Sequence, residues 1–231
     1  MRMAAALVRA GGLAALAAVG LSAAGAAPAG FAARFGDGPP PFAMPMAGSY
    51  ALPPLRPAPD GEVIDENGRT HRLHDLLDGR ITLVSFVYLL CGDVNGCPLA
   101  LSTLFDTWHA SAGVPELRGE VQLMTISFDP LRDTPEALAS FAWPIRTDTE
   151  AARKIDWLLL TTRGPDEIGL LLEGFGQDVS RSNDPERLNH LLRMFLVDRE
   201  GRIRNIYGLG MIDPRLIMTD VETLLAEEQG E

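Results

Sequence analysis

The chain is predicted to fold as a layered α/β domain with a mixed central sheet flanked by helices. Three features of the sequence point there. Apolar runs with little alternation, rich in β-branched and aromatic residues, recur at 81–88, 121–127 and 157–162, as in strands covered on both faces. Between these runs, apolar residues fall at helical spacing. Towards the end, two apolar runs flank the turn Asp198-Arg199-Glu200-Gly201, which marks a hairpin. Parallel strands come first and an antiparallel pair follows.

The first strand is ITLVSFVY at 81–88. After Cys97-Pro98 the spacing of Leu101, Leu104, Phe105 and Trp108 predicts one face of a helix. VQLMTIS at 121–127 is the second strand. The next helix opens at Asp133-Thr134-Pro135-Glu136, with Asp133 capping and Glu136 closing a box, or with Thr134 capping ahead of Pro135. WLLLTT is the third strand, and Gly164-Pro165 leads a helix with Ile168, Leu171, Leu172 and Phe175 on its apolar face. The hairpin strands are 194–197 and 202–207. Asp213-Pro214 starts a last helix with Ile217, Val221, Leu224 and Leu225 turned inward.

Composition divides the chain of 231 residues into three parts. Residues 1–26 carry Arg2 and Arg9, then an Ala/Leu/Gly/Val run, then Ala24-Gly25-Ala26. That order predicts an export signal cleaved after about Ala26. A membrane anchor is the alternative, because the 17 residues from 11 to 27 hold no charge. Residues 27–59 form a linker: nine of the 17 prolines fall there, and such a segment is expected neither to pair into a sheet nor to continue a helix. The domain proper is 60–228, enough chain for one well-buried core. The formal charge of −11 becomes −13 once Arg2 and Arg9 are removed. This surface disfavours nucleic acid and favours basic protein partners.

The chain has two cysteines, Cys91 and Cys97, both at the corner between the first strand and the first helix. Open α/β sheets keep their sites beyond the carboxyl ends of the strands, which is this corner. The intervening GDVNG holds two glycines and Asn95, which tolerate positive φ and let the loop fold back so that the sulfurs meet. Cys97 at a helix N-terminus is expected to favour the thiolate. Three roles are open: a structural disulfide, a redox dithiol or a pair of metal ligands. A bridge over so short a loop stabilises little. If the pair binds metal, copper fits best, since soft Cu(I) prefers sulfur and an imidazole completes the site. Zinc calls for four ligands, and there is no second cysteine pair.

The histidines are His71, His74, His109 and His190. His109 follows Trp108 at a helix end, where it reads as a C-terminal cap. His71 and His74 lie in THRLHD, on an expected exposed edge. His190 stands in a loop before the strand MFLV, and on spacing alone it is an ordinary surface or core histidine. Met44 and Met46 in PFAMPMAG read as incidental linker residues.

Four stretches then carry a resemblance: FVYLLCGDVNGCPLALSTL, MTISFDPLRDTPEALASFA, WLLLTTRGPDEIGLLLEGFG and NHLLRMFLVDREGRIRNIYG. In this order and spacing they resemble the Sco/SenC family of copper chaperones, over about residues 60–228. The resemblance implies a thioredoxin-like fold, held in the periplasm or at the outer face of the inner membrane. It implies copper, as Cu(I) or Cu(II), bound by Cys91, Cys97 and His190. It also implies service to the dinuclear copper centre of cytochrome c oxidase subunit II or another cupro-protein, with an upstream thiol reductant. A thiol–disulfide oxidoreductase using Cys91 and Cys97 as a redox dithiol is the second reading. The sequence departs from the family pattern twice. Five residues separate the cysteines where the family has three, with Asp93 matching an Asp common in that loop. Asn189-His190-Leu191 stands where the family has Asp-His-Ser. In SFDPLRDTPE, Asp129, Arg132 and Asp133 are expected to organise a loop and helix cap, with an ion pair at the rim of the site.

Overall fold

A computed structural model describes residues 30–35, 42–91, 96–181 and 188–230. The predicted signal or anchor at 1–26, and the loop residues Gly92, Asp93 and Asn95, lie outside the described residues. Along the chain come β1 (Arg56–Pro57), β2 (Glu62–Asp65), β3 (Thr70–Arg72), α1 (Leu73–Leu77), β4 (Ile81–Val87) and α2 (Cys97–Ser111). Then follow β5 (Val121–Ser127), α3 (Pro135–Arg146), β6 (Asp156–Thr161), α4 (Pro165–Phe175), β7 (Val179–Arg181) and β8 (Leu188–His190). β9 (Arg193–Val197), β10 (Arg202–Gly208) and α5 (Pro214–Gly230) complete the fold. No helix among the described residues is long and apolar enough to cross a membrane.

The main sheet has the order β1-β10-β9-β4-β5-β6-β2-β3. Its centre is the expected parallel set, β4 beside β5 and β5 beside β6. All seven residues of β4 and of β5 are buried, which explains why neither run alternates. β9 lies antiparallel on the other side of β4, in the register Thr82↔Val197 and Ser85↔Met194, and β10 returns along it as the hairpin partner. The antiparallel pairing sets the start of β9 beside the end of β4, at the edge where ligands are expected.

Helix faces follow the spacing with one adjustment. On α2 the fully buried stripe is Cys97, Ala100, Leu104 and Trp108, while Leu101 and Phe105 are half-buried against the core. The buried stripe thus begins at Cys97, whose thiol is in the core. α3 resolves its two capping alternatives: the Thr134 hydroxyl accepts from the Ala137 N–H at 3.4 Å, and Pro135 takes the first turn. On α5, Ile217, Val221 and Leu224 are buried and Leu225 is half-buried.

The proline-rich segment departs from its expected behaviour. Arg56 and Pro57 pair with Ile203 and Arg202 of β10. Upstream, residues 48–52 strap across α5: the Gly48 N–H donates to Thr223 Oγ1 at 3.0 Å, the Tyr50 hydroxyl to Asp220, and the Leu52 N–H to Glu227 Oε1 at 3.1 Å. Proline excludes a chain from the middle of a sheet, but β1 is the outermost strand, where its missing N–H costs nothing. Leu52 and Ala58 are buried.

Candidate metal centre

Three elements deliver the candidate donors. β4 ends at Val87, and a turn closed by the Cys91 N–H on the Tyr88 carbonyl (3.3 Å) presents Cys91. Cys97 is the first residue of α2. His190 is the last residue of β8, paired with Val179 of β7, so it sits on a short ladder where a loop was expected. The sulfurs of Cys91 and Cys97 lie 3.9 and 3.5 Å from His190 Nε2, across 99 and 93 residues of chain. All three donor atoms fall within 4.8 Å of one another. Two ligand bonds of about 2.0–2.3 Å to one ion separate their donors by a similar span. Both thiols are free.

The two sulfurs are not equivalent. Cys97 is 1% exposed and Cys91 is half-buried, so Cys91 is the one that meets solvent. Burial pushes the Cys97 thiol well up from its ordinary value, against the Tyr88 N–H that points to its sulfur at 3.5 Å; the neighbouring Cys91 pushes it further up. The helix N-terminus was expected to favour the thiolate here. Desolvation outweighs it, since a charged sulfur with no water needs a counter-charge. A soft cation between the sulfurs supplies one.

The imidazole is held by aromatic rings. Phe128 stands edge-to-face to His190 at 5.0 Å between centroids and Tyr88 at 6.2 Å, while Tyr88 and Phe128 meet at 5.1 Å. Under the Cys91 turn, Asp133 accepts from the Leu89 N–H at 3.0 Å and from the Ser127 hydroxyl at 2.5 Å. Asp133 is therefore a buried tether for the turn and not the helix cap. Burial raises its carboxyl above the ordinary Asp value, opposed by those two donors. The expected ion pair forms between Arg132 and Asp129 at 3.0 Å. A cleft of about 270 Å³ opens beside His190, lined by Leu191, Leu192, Arg193 and Leu209. Leu191 and Leu209 are exposed along it, and Leu90 is exposed next to Cys91.

The other histidines are engaged elsewhere. His71 is on the edge pair β2–β3 but half-buried, with Nε2 3.0 Å from Asp65, and the exposed His74 lies on α1 with Nε2 2.9 Å from the Ala58 carbonyl. The His109 ring stacks on Phe105 and faces Lys154 Nζ at 3.2 Å, in place of the expected cap. Met46 is exposed, and Met44 packs against the core. Tyr88, Phe128 and Asp133 were not singled out as companions of the centre. Each had a signal: Tyr88 ends the strand that leads to Cys91, and Phe128 and Asp133 lie in SFDPLRDTPE, the stretch expected at the rim of the site.

Together, the mixed sheet flanked by helices and the Cys–Cys–His group at its strand ends define a thioredoxin-like α/β protein. Within that class the chain belongs to the SCO1/SenC family, whose model matches residues 58–226. A Stutzerimonas stutzeri protein named for copper binding is 31% identical over 96 residues; the match spans 42% of this chain and 45% of that relative's length, less than half of it. The fold is similar to that of a SCO1/SenC family lipoprotein from Bacillus anthracis, with a TM-score of 0.61, 22% identity, and coverage of 75% of this chain and 97% of the other. It is also similar to Arabidopsis thaliana ScoI, solved with copper bound, with a TM-score of 0.58, 20% identity, and coverage of 74% and 98%.

Proposed function

We propose that the chain is an exported copper metallochaperone, with Cys91, Cys97 and His190 as the copper ligands. The observation that carries this is the convergence of two free thiols and one imidazole nitrogen within 4.8 Å. Two thiolates satisfy Cu(I), and the imidazole makes the set suitable for Cu(II) as well. Copper is the cargo. A partner's donors approach past the exposed Leu90 and Leu191, displace the ligands one at a time, and the half-buried Cys91 is the first point of contact. The acceptor is a cupro-protein, and the dinuclear copper centre of cytochrome c oxidase subunit II is the one the family resemblance favours. The copper held by the similar Arabidopsis thaliana protein supports the metal. The basic, apolar, A-x-A order of residues 1–26 supports a periplasmic or outer-face setting.

Copper exposure of the reduced protein, followed by metal analysis, tests the reading. About one copper per chain is expected; none would overturn it. N-terminal sequencing of protein from the envelope fraction tests export, and a mature start near Ala27 is expected.

Thiol–disulfide exchange is the second reading, favoured by the proximity of the two free sulfurs. The Cys91 thiolate attacks a partner disulfide, forming a mixed disulfide and releasing one partner thiol. Cys97 then attacks Cys91, closing an intramolecular disulfide and releasing the second partner thiol. An upstream thiol reductant returns the pair to the dithiol.

A further inference from the structure

We propose that Gln177 is a positioning residue for His190, acting through the main chain at Leu191; this rests on His190 being the third copper ligand. The ladder that carries His190 is short. It pairs Val179 with His190, Ser180 with Asn189 and Arg181 with Leu188, and it ends at His190, because the chain next joins the main sheet through β9. Leu191 is 54% exposed, so side-chain packing does not fix it. Its carbonyl is fixed instead by Gln177, whose Nε2 donates to Leu191 O at 2.6 Å and reaches Asp178 O at 3.5 Å. The side-chain amide extends the ladder by one bond beyond its last backbone pair.

Gln177 is itself rigidly placed. It follows Gly176, the left-handed cap of α4 with φ 63°, and its own N–H donates to the Leu172 carbonyl at 2.8 Å. A second bond joins the same two segments in the opposite sense: Arg193 Nη1 donates to the Gly176 carbonyl. The C-terminal turn of α4 thus grips the chain at 191 and 193, on the C-terminal side of the histidine. The other half of the Gln177 amide marks the residue as more than filler. Its Oε1 is buried with no hydrogen-bond partner among the described residues, a desolvation cost that an apolar residue of the same size avoids. A group retained at that cost serves the bond made by its other atom.

Gln177→Met keeps the volume and removes the donated bond. In the reduced, metal-free protein, nuclear Overhauser contacts from the His190 ring to the Phe128 and Tyr88 rings are expected in the parent and lost in the variant. Cu(II) affinity is expected to fall about 10–100-fold, the range seen when groups that orient metal ligands are removed. In a His190→Ala background the same change should alter Cu(I) affinity less than about twofold, because a residue acting through His190 has nothing left to position. Retained ring contacts with parental affinity would overturn the proposal. So would a loss of Cu(I) affinity in the His190→Ala background equal to the Cu(I) loss that Gln177→Met causes in the parent. Should Gln177→Met fail to fold, Gln177→Asn, whose amide falls short of Leu191 O, carries the same comparison. If the parent itself takes up no copper, the metallochaperone reading falls, and the metal-free ring contacts still decide the role of Gln177.

Discussion

His190 separates the two kinds of chemistry open to this site. Disulfide formation needs only two sulfurs and the field around them, whereas Cu(II) beside thiolates needs the imidazole. His190→Ala is therefore expected to keep reversible disulfide formation, abolish stable Cu(II) binding and weaken Cu(I) binding. A copper titration by absorbance beside a thiol redox titration checks this, and parental binding of both copper states would remove His190 from the ligand set. Asp133 makes a second prediction at this scale. Its folded value is raised by burial, so the folded state favours the protonated carboxyl. The stability it contributes is present below the ordinary Asp value of about 3.9 and is lost as pH rises through the folded value. Leu89 and Ser127 both donate to the same oxygen, Oδ2, which an asparagine carbonyl can replace. Asp133→Asn should therefore flatten the decline of stability with rising pH and leave the fold intact. Asp133→Leu strands the Leu89 N–H and should cost about 1–3 kcal/mol. Denaturant titrations of the three proteins across the acid-to-neutral range measure both effects.

At the scale of elements, α5 is held at both its start and its flank. Asp213 accepts from the Arg215 N–H at 2.8 Å and pairs with the Arg215 guanidinium through Nε at 2.9 Å and Nη2 at 2.6 Å. Burial works to raise the Asp213 carboxyl, yet the Arg215 bonds hold it below the ordinary value. Its stabilisation is therefore present at neutral pH and lost as pH falls below the usual carboxylate range. Asp213→Ala should cost about 1–2 kcal/mol at neutral pH, with the deficit shrinking in acid. Thermal melts at the two pH values read the difference. On the flank, Asp220 is buried and accepts from Tyr50, from Tyr207 at 2.6 Å and from Asn205 Nδ2 at 2.8 Å. Tyr50→Phe removes the one donor that the strap supplies to Asp220, a bond to a carboxylate worth about 1.5–3 kcal/mol. The strap at 42–55 should then be cut faster by proteases while the sheet stays resistant. Equal cutting of parent and variant would show that backbone bonds alone hold it. This strap was not readable in advance. Proline-rich composition describes what a chain cannot do in the middle of a sheet, and it is silent about an outer edge and the face of a helix.

For the whole molecule, charge and site pull in different directions. The chain is strongly acidic, yet the mouth of the site is apolar, with Leu90, Leu191 and Leu209 exposed around it. Long-range attraction should set the approach of a basic partner, and contact at the mouth should be dry. Association with such a partner is then expected to slow as salt rises, because the exposed charges are screened beyond about 8 Å at physiological ionic strength. Dissociation should change less. Stopped-flow rates at two ionic strengths distinguish this from a purely charged interface, in which both rates move.

The strands at 81–87, 121–127 and 156–161, the helices that follow them and the late hairpin were all legible from residue order. So was the corner that holds both cysteines. Hydrophobic period, turn residues and helix starts are local properties, written within a few residues of where they act. The edge pair β2–β3, the strand β1 and the ladder β7–β8 were not legible, because each has four residues or fewer and no period to show. The meeting of His190 with Cys91 and Cys97 is non-local in a stronger sense. It spans more than ninety residues, and it exists because β9 runs antiparallel beside β4 and brings its own beginning to the other strand's end. The burial of Cys97, which reverses the effect expected from the helix terminus, is decided the same way. A dipole can be inferred from a helix start, but the water missing around a sulfur depends on everything packed against it.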